Sequence, residues 1–117
     1  MVEFSIAHPV HGSDPFLLHM LAGERLSEAR HPNTDADHER VLLEEALDLD
    51  QIAAFQYLDE PDCPAYGPLF VRAASIAVQI GEYGRALDLI VLGNRTACPS
   101  TLKQLEELNA KVLDHLL

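Results

Sequence analysis

The stretch Leu69-Phe70-Val71-Arg72-Ala73-Ala74-Ser75-Ile76-Ala77-Val78-Gln79-Ile80-Gly81-Glu82-Tyr83 decides the fold of this chain. Only Arg72, Ser75 and Gln79 are polar before Gly81, and they recur at intervals of three and four. They form one narrow stripe on an otherwise apolar helix, so the spacing predicts a helix packed on most of its sides. Gly81 ends it, because glycine takes the left-handed conformation of a helix C-terminus without a side-chain clash. A second helix begins near Glu82, carries Tyr83, Ala86, Leu87, Leu89, Ile90, Val91 and Leu92, and closes around Gly93-Asn94. Two apolar helices joined at one glycine read as an antiparallel hairpin.

Working outward toward the C-terminus, Pro99-Ser100-Thr101 opens a last helix. Leu102, Leu105, Val112 and Leu116 line one face, widened by Leu108 and Leu113, while Lys103, Glu106, Glu107, Lys111 and Asp114 seek water. This is the pattern of a helix that caps a stack. Toward the N-terminus, Asp59-Glu60-Pro61-Asp62-Cys63-Pro64 breaks whatever precedes it, since its prolines lack backbone donors and push their predecessors out of helical geometry. The next helix is expected over about Ala65–Ile80, with a start as late as Pro68. Val41, Leu42, Leu43, Ala46, Leu47 and Leu49 repeat at helical spacing, and Ile52 to Leu58 either continues that helix or separates from it near Asp48 and Asp50. His31 to Asp37 is a loop. Asp14-Pro15 is a helix start, predicting a helix from Pro15 to about Arg30. Residues 1–13 alternate Val2, Phe4 and Ile6 and then break at His8-Pro9, which suggests an extended arm.

The dipeptides Cys63-Pro64 and Cys98-Pro99 lie 35 residues apart, each just before a helix, and His31-Pro32 precedes the first by 32. Such spacings arise when helical hairpins stack. Within one period Ala74, Gly81, Tyr83 and Ala86 match the signature of a tetratricopeptide unit, with Phe70 and Ile90 at its large apolar positions. Residues 66–99 therefore resemble the tetratricopeptide-like helical repeat superfamily. Departures are Ala77 where an aromatic is usual, Gly93 where alanine is, and Pro99 one residue late. A shift of 32 back from that unit sets Ala86 on Ala54 and Ile90 on Leu58, but also Ala74 on Leu42 and Gly81 on Leu49, so the earlier unit is degenerate.

The resemblance implies an all-α fold of antiparallel hairpins stacked as a short right-handed superhelix. It divides the single domain into a degenerate helical region (15–63), a repeat hairpin (64–99) and a capping helix (100–117). It also implies that a protein or peptide is held in a groove lined by the first helix of each hairpin, where Arg72, Ser75 and Gln79 match groove positions and Arg40 extends the surface by one period. Read without the family, the same stripe is the exposed edge of a buried helix.

Charge and composition narrow the function classes. Nineteen acidic residues against eight basic ones give a formal net charge of −11, and the cations are scattered from Arg25 to Lys111. Nucleic-acid binding needs a basic stripe, so neither a nucleic acid nor an anionic membrane surface is expected as a partner. The longest apolar runs, Ile52 to Phe55 and Leu89 to Leu92, fall far short of the roughly 18 residues of a membrane span. With no secretory pattern at the start and only two cysteines, read as free thiols, a cytoplasmic location is expected.

Chemistry-bearing motifs are sparse. The six histidines, His8, His11, His19, His31, His38 and His115, show no zinc-site spacing. Asn33, Asp35, Asp37 and Glu44 loosely follow a calcium loop, but His38 stands where the loop needs glycine. No phosphate-cradling loop or glycine-flanked serine nucleophile is present. The expectation is a non-enzymatic interaction module without cofactor, catalytic residue or metal site, acting as an adaptor or small chaperone. The alternatives are a subunit that dimerises or docks into a larger assembly through its apolar helices and, third, a small metal-dependent enzyme.

Overall fold

The computed structural model describes residues 14–117, so the arm expected over residues 1–13 lies outside the described residues. The described chain is all-helical: α1 (Pro15–Ala29), α2 (Ala36–Phe55), α3 (Tyr66–Gln79), α4 (Tyr83–Gly93) and α5 (Pro99–Leu116). No described helix is long and apolar enough to cross a membrane.

Local chemistry fixes most boundaries. Asp14 stays extended and its carboxylate accepts from the Phe16 N–H at 2.9 Å, with Pro15 in the first turn where a missing donor costs nothing. Asp35 caps α2 in the same way by accepting from the His38 N–H at 2.8 Å, while Asp37 and Glu39 complement the positive end of the helix dipole. α2 runs unbroken through Asp48 and Asp50 to Phe55, which resolves the two readings of Ile52 to Leu58 in favour of continuity as far as Phe55; Tyr57 and Leu58 fall in the turn beyond. Gly81 has φ +82°, the Glu82 N–H donates to the Ala77 carbonyl at 2.9 Å and the Gly81 N–H to the Val78 carbonyl at 3.1 Å. Those two bonds are the Schellman arrangement, and they satisfy carbonyls that the end of α3 would leave open.

Cross-helix pairs give the topology. Glu28 meets His38, Arg25 meets Glu45 and His19 meets Asp50, so α1 and α2 run antiparallel. Arg40 donates to the Ile80 carbonyl, Asp50 meets Arg72 and Phe55 lies beside Phe70, so α2 and α3 are antiparallel as well. Tyr66 donates its hydroxyl proton to the Leu92 carbonyl at 2.6 Å across the α3–α4 hairpin. α5 closes the other side of α3: Thr101 abuts Gly67, and Gln104, Leu108 and Lys111 follow alongside Val71 and Ser75, so α5 runs parallel to α3. It is antiparallel to α4, with Leu105 against Gly93 and the His115 ring stacked 4.9 Å from that of Tyr83.

Alanine fills much of the interior, with Ala22, Ala46, Ala53, Ala54, Ala73, Ala74, Ala77 and Ala86 all wholly buried. Small side chains allow close helix approach, and the larger volume is supplied by Tyr66 and Phe70, whose rings lie 4.6 Å apart, and by the fully buried Leu47, Leu89, Leu105 and Val112.

Candidate functional site

Asp50 lies on the apolar stripe of α2, at helical spacing from Leu43, Ala46, Leu47, Ala53 and Ala54, and folding carries it to zero exposure. An ionised carboxylate without water needs partners. Arg72 of α3 supplies a two-pronged one, with Nε 2.5 Å from Oδ2 and Nη2 2.9 Å from Oδ1. His19 of α1 completes the set, its Nδ1 being 3.0 Å from Oδ1, while Arg72 Nη2 also donates to the His19 carbonyl at 2.5 Å. Three helices are thereby fixed to one another through a single carboxylate. A carboxylate oxygen can only accept, so Nδ1 of His19 is the donor in its contact with Asp50 Oδ1, and the ring is held by that bond.

His19 also lines a cleft. Pro15, Phe16 and His19 from the start of α1, Tyr57 and Ala65 from the α2–α3 connection, and Pro68 and Leu69 from the start of α3 enclose about 170 Å³ of mostly apolar space. Pro15 is the first residue of α1 and Pro68 the third of α3, each within a first turn, and both line the cleft. Phe16, Leu17 and Met20 stand largely exposed on the adjoining face of α1. The Asp14 and Glu60 carboxylates make the rim acidic: burial first, then the nearby Cys63, Asp14 and Glu60 side chains, push the Tyr57 hydroxyl above its ordinary value. A larger groove of about 380 Å³ between α4 and α5 mixes Leu87, Val91 and Leu102 with Asn94, Glu106 and Asn109 and holds no comparable polar anchor.

The four residues expected on a partner surface stand in different surroundings. Arg72 is turned toward α1 and α2, with its guanidinium committed to Asp50 and His19, because a buried carboxylate on α2 draws it inward. Ser75 is half-buried beside Gln104 and Lys111 of α5, Gln79 is exposed near the end of α3, and Arg40 spans from Glu44 to the Ile80 carbonyl. His19, Asp50 and Tyr57 carried no functional weight in the sequence. The available signal was an aspartate inside the apolar repeat of α2 facing an arginine inside that of α3, two opposite charges that each break a hydrophobic face.

Among the described residues, no group of three or more His, Cys, Asp or Glu side chains is arranged to hold a metal ion. No family model, curated protein or solved structure matches this chain, and its function is therefore argued from the cleft and the helices that build it.

Proposed function

We propose that this protein is a non-enzymatic protein-interaction module, an adaptor or small chaperone, whose α1–α3 cleft holds a segment of a partner protein. The observation that carries the reading is the apolar cleft with one fixed polar edge, His19, and an acidic rim. Apolar walls take an aromatic or aliphatic anchor, the His19 ring offers a polar contact beside it, and Asp14 and Glu60, close enough to act on Tyr57, favour Lys or Arg on either side. The net charge of −11 acts in the same direction over longer range.

We read the five helices as a tetratricopeptide-like stack. Gly67 opposite Thr101 sets a parallel register of 34 residues between α3 and α5, the length of one such unit, and the short dimension of 21 Å is that of two helix layers. In such a stack α1, α3 and α5 occupy one layer, and the cleft lies where the first two meet.

A displayed library of random peptides, selected on the purified protein, tests the proposal. Enrichment of an apolar anchor flanked by basic residues is expected, with binding at least tenfold weaker in Phe16→Ser and unchanged in Val91→Ser on the α4–α5 groove. Selection without that pattern, or equal binding by Phe16→Ser, would overturn it. If Phe16, Leu17 and Met20 instead pair two copies of the chain, light scattering will show a dimer that Phe16→Ser dissociates, and the subunit reading replaces the module.

A further inference from the structure

A third cavity, of about 330 Å³, lies at the opposite side of the α3 start from the His19 cleft, and both cysteines of the chain line it. The reason is the register of α3 against α5. Gly67 carries no side chain, and a methyl placed there would run into the Thr101 side chain, so the two helix starts touch. Because the helices are parallel, the chain enters both from the same end. Cys63 stands four residues before Gly67 and Cys98 three before Thr101, and both residues line the cavity beside the contact together with Asp62, Thr96 and Ala97. Neither is bonded to the other, Cys63 is half-buried and Cys98 is exposed.

The two thiols are not equivalent. Cys98 sits at the N-terminus of α5, its Sγ 3.3 Å from Ser100 Oγ. The Ser100 hydroxyl first, then the Thr101 backbone N–H and hydroxyl, lower its thiol from 9.0 to about 7. A thiolate is the nucleophile in disulfide exchange, and this one faces solvent.

We propose that Cys98 is a modification site for low-molecular-weight disulfides and that Cys63 resolves the adduct into an intramolecular Cys63–Cys98 bond. The Cys98 thiolate attacks one sulfur of a small disulfide RSSR, forming Cys98–S–S–R and expelling RS⁻. Cys63 gives its proton to solvent, its sulfur attacks the Cys98 sulfur, and the second RS⁻ leaves. Two protein thiols are oxidised and one RSSR is reduced to two RSH. The bond ties the α2–α3 connection to the α4–α5 connection across the mouth of the cavity. It forms without any involvement of the partner cleft, so the site stands independently of the proposed function.

Oxidised glutathione, added to the purified reduced protein, tests the assignment by intact-mass and non-reducing peptide mapping over time. The expected course is a transient single glutathione adduct on Cys98, replaced by a species that has lost two hydrogens and contains a Cys63–Cys98 linked peptide. Cys63→Ser should stop at a lasting adduct on Cys98, and Cys98→Ser should react on the order of tenfold more slowly near neutral pH. Alkylation of wild-type Cys98 by iodoacetamide should rise through about pH 7 and level off above it, with Asp62 and Cys63 the groups that share its cavity. First modification at Cys63, a lasting adduct in the wild type, or bonds formed only between molecules would each overturn the assignment. Should a serine variant fail to fold, the order of labelling in the wild-type protein decides the same question.

Discussion

Two joints hold α3 in place, and they are built from opposite materials. On the side of α1 and α2 the joint is polar: one buried carboxylate, a guanidinium that grips it with two nitrogens, and an imidazole and a carbonyl from α1. On the side of α5 it is steric, with Gly67 against Thr101, Gly93 against Leu105 and Phe70, and no ion pair between α3 and α5 among the described residues. A steric joint excludes other arrangements by overlap and accepts any side chain of the right volume. A polar joint also fixes direction, since each donor must point at its acceptor. The consequence for function is that the cleft lies on the polar joint, where the His19 ring is aimed as well as packed.

The comparison breaks most visibly at Arg72. Arg72→Met leaves Asp50 buried without its charge partner, and a loss of about 3 kcal/mol in urea unfolding is expected. If the joint serves direction more than stability, the double replacement Asp50→Leu with Arg72→Met will recover most of that loss while the His19 ring loses its fixed orientation, visible as averaging of its imidazole signals by NMR. Failure of the double variant to recover would mean that the polar joint is the stronger of the two.

The steric joint should respond to volume alone. Gly67→Ala drives a methyl into Thr101 and is expected to cost roughly 2 kcal/mol by thermal unfolding, despite the better helix propensity of alanine. Adding Thr101→Ala, which removes the hydroxyl and the methyl that the new side chain overlaps, should restore most of it. Gly81→Ala touches neither joint and meets only the backbone term: with φ at +82°, a loss of about 1 kcal/mol is expected, leaving the cleft unchanged. Gly84, also clear of both joints, lies in α4 with open space around it, so Gly84→Ala should stabilise by about 0.5 kcal/mol. Equal effects at Gly67 and Gly84 would dissolve the distinction between a packed joint and free helix surface.

Much of the fold was legible because its signals are local. The Asp14 cap, the prolines at 15 and 99 and the glycine at 81 act within a turn of their own position, and each stands at or beside the element end it predicts, whereas the loop read over His31 to Asp37 ends earlier, with α2 starting at Ala36. The start of α3 was read less well, with Ala65 and Pro68 both offered and Tyr66 observed, because no side chain caps it. The stripe of Arg72, Ser75 and Gln79 was found correctly as a helical line, yet its three residues meet different surroundings: α1 and α2, α5, and solvent. Periodicity reports which residues share a face and carries no information on how many neighbours that face has. Tyr57 lay in a stretch read only as apolar, and His19 drew attention only as one of six histidines without ligand spacing.

By itself the amino-acid order determined the all-helical class, the places where the chain turns and the excess of negative charge, since capping, φ preference and ionisation depend on a residue and its immediate neighbours. Tertiary structure alone decided that Asp50 would be dry, that Arg72 would turn inward to meet it, and that two cysteines 35 residues apart would share one cavity. Those outcomes depend on desolvation and on helix register, and both come into being only when distant segments pack.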